Sequence, residues 1–506
     1  MIVVSNFELY TSRRGLLVSL ILVIAVFSLF ACTLVTMVNS ASLVGVIYVG
    51  TEAELNNAIN GAGDGVSVVI AFTKDIILTE SLVIAVNKNV TLTSNSGNNF
   101  FKLIGANGTS TIFIWTNGVV TLDGIIVTHT NGHEGRGVSI NSGGSLIIID
   151  GMISGNYGIY GTGGVHNNGG MVKMFGGVIS NNTGLFDGGG VYSSGDFELV
   201  GGVITNNTAV MGGGVYNDNG GRFVMSGGVI ANNTANCGGG VCNLGVFELS
   251  GGLISNNECT DLLSFTNLNY GTTRGGGVFN DCLFSMFGGE ISNNIASQGG
   301  GVNNGNGGTF KLSNGIIFDN TATNGGGVYN LDVFELSGNG VIFGNTATNG
   351  GGVYNDCISY ILDVFGRPVG IYEGKDENYD THLEGKFSMS GGKISGNQAT
   401  EVGGGIYDKG KLVVHGGVIS DNNALEYNDV YSYNGNNGLH SDKPVIDEDK
   451  SNSKNVIKAV MAIVVIIFMV VVFFFFYLKK KTKLINTAIS KPFVPELFCV
   501  FNIFVF

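Results

Sequence analysis

The line GGGVCNLGVFELSGGLISNN, residues 238–257, is rewritten with small changes along most of this chain. GGGVYNDNGGRFVMSGGVIANN stands before it and GGGVYNLDVFELSGNGVIFGN after it. A line repeated at near-constant spacing restricts the fold to units that stack on one another. Aligned on the Val of GGGV, the units fall at Val165, Val191, Val215, Val241, Val278, Val302, Val328 and Val353, with Val138 as a forerunner and Ile406 as a late variant. Most gaps are 24–27 residues and two are longer. No unit has helical periodicity; each holds three short alternating runs such as FEL, VIS and GVYN. Three short strands with turns between them make one coil, which predicts an all-β parallel β-helix solenoid of about 13 rungs with a period of about 25 residues.

The columns of this alignment name the interior. Phe197, Phe223, Phe247, Phe284, Phe310, Phe334 and Phe387 share one position, closed at the ends by Leu146, Val172 and Leu412. The residue after each is mixed, so the alternation of a strand points Phe inward and its neighbour to solvent. A second inward column runs from Ile153 to Ile419. Three residues after each Ile comes an Asn: Asn156, Asn182, Asn207, Asn233, Asn257, Asn294, Asn320, Asn345, Asn397 and Asn422. A second Asn column follows the GGGV Val by two, at Asn167, Asn217, Asn243, Asn280, Asn304, Asn330 and Asn355, interrupted by Ser193. A stacked amide donates to one neighbour and accepts from the other, so these columns are expected to be structural ladders.

Outside the repeat, the chain divides by composition. Residues 1–41 hold Arg13, Arg14 and a long apolar run, the pattern of a signal peptide or signal anchor. Residues 42–60 are expected to form a strand and a capping helix, with a Thr51/Glu54 capping box and an apolar face of Leu55, Ala58 and Ile59. The β-helix is placed at 61–432, and a polar linker or stalk at 433–458. Residues 459–478 are uncharged and long enough for a transmembrane helix. Lys479, Lys480, Lys481 and Lys483 open the short tail 479–506 and place it on the cytoplasmic side, with the repeats outside. A net charge of −13 and the lack of a basic, aromatic-interleaved patch between the hydrophobic ends exclude nucleic acid as an expected partner.

The repeats resemble right-handed β-helix surface proteins, namely the adhesin-like repeat proteins of methanogenic archaea. More distantly they resemble chlamydial polymorphic outer-membrane proteins, through GGVI at Gly176, Gly201, Gly227 and Gly416 and IxxN in place of FxxN. The resemblance spans residues 44–432 and implies a right-handed coil and an extracellular protein in the cell membrane that binds polysaccharide or another cell surface without catalysis. Where the chlamydial family ends in a β-barrel, this chain ends in an apolar helical segment.

Such a scaffold also carries polysaccharide lyases and hydrolases, and passive envelope proteins, so catalysis needs its own test. Asp123 and Asp150 fall in one column on successive rungs and are the candidate carboxylate pair, with Asp-Gly turn chemistry as the bland alternative. THTNGHEGRG gathers His129, His133, Glu134 and Arg136; because His129 follows Ile126 by three, it is expected to begin the Asn column. No metal and no cofactor are expected. The insertion Asp356–Gly385, which carries Tyr360, Phe365, Arg367, Tyr372 and Tyr379, is the candidate binding loop, with a degenerate extra rung or a neutral insertion as the alternative. A second insertion runs from Glu258 to Arg274. Cys237, Cys242, Cys259, Cys282 and Cys357 are expected to form no essential disulfide framework. Sequons at Asn89, Asn107, Asn181, Asn206 and Asn232 are candidate glycan acceptors.

Overall fold

The structure is a computed structural model that describes residues 45–94, 100–159, 161–261, 273–362, 368–373, 382–432 and 445–446. These residues form an all-β parallel solenoid of about 13 turns. In a typical turn the Phe run and the Ile run lie in one large sheet, and the GGGV run lies in a second sheet of thirteen described strands, from Leu82–Ile84 to Val430–Ser432. Pairing is in register from turn to turn: Phe223 lies beside Phe197 and Phe247, Ile230 beside Ile204 and Ile254, and Val241 beside Val215 and Val278. The three columns meet in one continuous core, where each of these residues is fully buried. Neighbouring Phe rings stack at 4.5–4.9 Å from Phe197 through Phe387. The outward neighbours form small ion pairs between turns, such as Lys173–Glu198 and Arg222–Glu248.

The first Asn column is a one-way ladder. In each turn the backbone N–H and the Nδ2 group of one Asn both donate to Oδ1 of the Asn in the next turn; Asn207 reaches Asn233 at 3.0 Å by each route. Nδ2 also donates to the carbonyl of the Ile in the preceding turn, as Asn207 does to Ile179 at 3.0 Å. The residue before each ladder Asn must adopt a left-handed conformation. Asn181, Asn206, Asn232, Asn256, Asn293, Asp319 and Asp421 hold φ between 53° and 61°, and Gly155, Gly344 and Gly396 serve the other turns. That requirement explains the doublets NN, DN and GN, since Asn, Asp and Gly tolerate this region best. Asn181, Asn206 and Asn232, three of the sequon residues, are exposed there.

Both ends of the ladder change chemistry. At the first, His129 is buried and its Nδ1 meets Asn156 Oδ1 at 2.8 Å. His129 does begin the column, but from a different register: Val127, not Ile126, pairs with Ile153, so one residue fewer separates the inward aliphatic from the ladder. At the last turn, Asn422 Nδ2 donates to the Asp429 carboxylate at 2.9 Å.

The second Asn column runs the same way, from Asn217 through Asn355 to Asp408. Ser193 leaves a gap in it: Asn217 Oδ1 is buried without a donor. Ser193–Phe197 and Asn243–Phe247 are turns of equal length, and Asn243 donates both to Gly245 O at 3.0 Å and to Asn280 Oδ1 at 2.7 Å. Ser193→Asn should therefore satisfy Asn217 and raise stability by about 1–2 kcal/mol, read from the midpoint of urea unfolding. A midpoint that falls or stays put would show that Asn217 is not short of a partner.

The glycines of GGGV make the corner that precedes the second sheet. Gly238 needs its φ of 65°, and a methyl group on Gly240 would lie 2.6 Å from the Gly277 carbonyl of the next turn. Only glycine lets successive corners close to this distance.

The N-terminal end is covered by the strand Ile47–Val49 and the helix Glu52–Gly61, the one helix among the described residues. Thr51 Oγ1 accepts from Glu54 N at 3.2 Å, and the Glu54 carboxylate accepts from Gly50 N at 2.8 Å. Leu55, Ala58 and Ile59 are buried in the core as the apolar face required. Of the stretch read as a polar stalk, Val445–Ile446 is described, and it pairs antiparallel with Val418 and Ile419 of the last turns. Among the described residues no helix is long and apolar enough to cross a membrane, and both hydrophobic terminal segments lie outside those residues.

Candidate functional site

Alternation in the second sheet turns Val and Asn inward and the residue between them outward. Across eleven turns the outward residues are Ser139, His166, Tyr192, Tyr216, Cys242, Phe279, Asn303, Tyr329, Tyr354, Tyr407 and Tyr431, each register-paired with the next. Ring centroids lie 4.7 Å apart for His166–Tyr192, 5.6 Å for Tyr192–Tyr216, 5.2 Å for Tyr329–Tyr354, 4.8 Å for Tyr354–Tyr407 and 5.0 Å for Tyr407–Tyr431. The faces of these rings are taken up by their neighbours; Tyr216, Phe279, Tyr329 and Tyr354 are buried, and His166, Tyr192, Tyr407 and Tyr431 are partly exposed. Cys242 and Asn303 interrupt the column.

Carboxylates hold the hydroxyls. Tyr192 Oη donates to Asp218 at 2.5 Å, and Tyr329 Oη donates to Asp356, in each case one turn further along. Burial, reinforced by the bond to Asp218, pushes the Tyr192 phenol up, and burial does the same for Tyr216. The phenols therefore stay neutral donors. Burial and then the charge of Asp218 raise Asp187, while Asp281 is raised by burial against the opposing pull of Arg274. Lys409 lies 5.5 Å from the Tyr354 ring centroid and 5.7 Å from that of Tyr407. The face thus combines ring edges, neutral hydroxyl donors and carboxylate acceptors, a set suited to a ligand rich in hydroxyl groups.

His166 heads the aromatic part of the column. Burial and then the Arg136 guanidinium push its pKa down to about 4. The unfolded chain titrates near 6.5, so between about pH 6.5 and 4 it holds a proton that the folded state lacks. Stability contributed by neutral His166 is therefore present above pH 6.5 and is lost as pH falls through this window. An NMR titration should give a His166 midpoint near the lower value, moving upward in Arg136→Gln; a midpoint near 6.5 in the unaltered chain would refute the burial argument.

The residues singled out from the sequence separate. Glu134 and Arg136 line a cavity of about 420 Å³ together with Gly108, Thr109, Ser110, Gly135, Gly158 and Ile159. His129 serves the Asn ladder, and His133 is exposed. Asp123 and Asp150 are partners across an irregularity in the large sheet, on a different face from the tyrosines. The Asp150 carboxylate accepts from Gly151 N at 2.8 Å, as a turn aspartate does.

In the insertion Asp356–Gly385, the strands Cys357–Leu362, Pro368–Glu373 and His382–Glu384 form a small antiparallel sheet, with Tyr360 opposite Ile371 and Tyr372 opposite Ser359. The turns on either side of it, Val353–Asn355 and Ile406–Asp408, pair directly, so the insertion is an excursion from the stack rather than an extra rung. Phe365, Arg367 and Tyr379 lie outside the described residues.

The outward column escaped the sequence reading, although its signal was present: VHN, VYS, VYN, VFN and IYD place a ring one residue after the aligned Val or Ile in most units. Among the described residues no group of three or more His, Cys, Asp or Glu side chains is arranged to hold a metal. Compared with family models, curated proteins and solved structures, the chain matches none.

Proposed function

We propose that this chain is an adhesin-like surface protein, anchored in the cell membrane through residues 459–478, whose repeats face outward and bind polysaccharide or another cell surface without cleaving it. The observation that carries this reading is the outward column of stacked tyrosines flanked by Asp218 and Asp356. The partly exposed rings His166 and Tyr192 in one part of the column and Tyr407 and Tyr431 in another give a polymer more than one point of contact, and weak contacts then add. The apolar segment followed by four lysines supports the anchor and its orientation. The resemblance to archaeal adhesin-like repeats and the tyrosines of the insertion support the surface role.

The test is retention of the full chain, solubilised in detergent, on a panel of immobilised polysaccharides, with the length of the sugar chains read on the same samples. Retention with intact sugar chains is expected, falling at least tenfold when Tyr192 and Tyr407 are both replaced by Ala. Retention that survives this change but is lost on deletion of Asp356–Gly385 moves the site to the insertion. Shortened sugar chains mean a lyase or hydrolase, and Asp123→Asn with Asp150→Asn then asks whether that pair is responsible. No retention anywhere on the panel leaves a passive envelope component.

A further inference from the structure

The interruption of the tyrosine column at Cys242 is chemically distinct. Cys237-Gly238-Gly239-Gly240-Val241-Cys242 is one GGGV corner with a cysteine at each end. The corner is tight: a methyl group added at Gly238 would lie 2.7 Å from Cys242 N. Two turns further on, the same five-residue spacing brings Asn303 Nδ2 to Gln298 O at 3.3 Å, so that corner also folds the two positions together. Cys237 packs against the cluster of Tyr216, Cys242 and Phe279. A third thiol, Cys259, is engaged elsewhere: its Sγ donates to Gly275 O at 3.2 Å and accepts from Gly239 N at 3.2 Å.

We propose that Cys237 and Cys242 are a dithiol site that closes to a disulfide on meeting a small disulfide oxidant of the oxidised-glutathione class. Cys237 is half-buried and Cys242 is fully buried, which fixes the order of events. The Cys237 thiolate attacks one sulfur of the oxidant, the S–S bond of the oxidant breaks, and one small thiolate leaves, with the other half held on Cys237. Cys242 then gives up its proton and attacks Cys237 Sγ, expelling the second small thiolate. Two protein thiols are oxidised, one small disulfide is reduced to two thiols, and the protons pass to the leaving thiolates. The neighbouring Cys237 side chain and then burial hold the Cys242 thiol well above its ordinary value, so the second step is the slow one. The bond forms within one corner and asks for no shift between turns. This inference is independent of the binding role.

The test uses the full chain in detergent, with and without oxidised glutathione. Free thiols are first blocked with a light alkylating reagent, and the protein is then reduced and labelled with a heavy one. Trypsin releases Phe223–Arg274, which carries Cys237, Cys242 and Cys259 together, and fragmentation assigns the label. Heavy label on Cys237 and Cys242 in equal amount, at least tenfold above the untreated sample and with Cys259 light, is expected. Cys242→Ser should trap the glutathione adduct on Cys237, and Cys237→Ser should leave Cys242 light. A lasting adduct on Cys237 in the unaltered chain, a bridge to Cys259, or light label throughout would each overturn the proposal; because these readings come from the unaltered chain, misfolding of a variant does not obscure them.

Discussion

Asn207→Ala should cost the solenoid on the order of 4 kcal/mol, read as a lowered midpoint of urea unfolding of the full chain. Asn207 Oδ1 accepts from both N and Nδ2 of Asn182, and its own Nδ2 serves Ile179 O and Asn233 Oδ1. The backbone N–H of residue 207 survives the change and keeps its bond to Asn233. Asn182 N–H and one proton of Asn182 Nδ2 are left without a partner at a fully buried position, and the Ile179 carbonyl loses its side-chain donor. Each such group costs about 1–3 kcal/mol, and the total is a large share of an ordinary domain's stability. Asn207→Asp keeps the acceptor but loses both donated bonds and buries a charge, so it should be no milder. A loss below about 1 kcal/mol would mean that water or backbone movement replaces the ladder.

Phe284→Ala attacks the core instead and should cost about 3–5 kcal/mol. Its ring is fully buried, 4.6 Å from Phe247 and 4.8 Å from Phe310 by centroid, so truncation leaves a void and breaks two stacked contacts at once. Phe284→Leu should cost less than half as much, since Leu146 and Leu412 occupy the same column near its ends. Equal losses for Ala and Leu would show that ring stacking, rather than filled volume, holds this column. Unfolding followed at both ends of the repeat would show whether damage in one turn spreads, because turns in a stack are stabilised mainly by their neighbours.

What was legible in the sequence follows from offsets. Phe, Ile, Val and the two Asn recur at fixed distances from GGGV, and a one-residue slip would send each to solvent, so alignment alone places them inside. The ladder mechanism was readable too, because Asn is a small side chain that both donates and accepts. The start of the ladder is legible only in part: counting three from Ile126 reaches His129, whereas Val127 is the residue that pairs with Ile153, so His129 joins the column one residue early. The tyrosine column was hidden for another reason. An outward position in a strand is expected to meet solvent, yet Tyr216 and Tyr354 are buried, because the corners on either side of the second sheet rise against them. Residues such as Met211, Cys237 and Leu244 make those walls, and their reach depends on corner geometry that no spacing expresses. The contact between Cys237 and Cys242 was missed in the same way. Of the binding residues assigned to the insertion, the described backbone reaches only Tyr360 and Tyr372.

The one-way ladder also gives the molecule an order of assembly. Each turn has its Asn oxygen filled by the turn before it, while its backbone N–H and one of its two amide protons wait for the turn that follows. A chain delivered from its N-terminal side therefore always carries, at its newest turn, donors that only the next stretch of sequence can receive. Every arriving Asn terminates one vacancy and opens another of the same kind, which is a template that copies itself forward. Asp429 ends the series, since a carboxylate accepts and offers nothing onward.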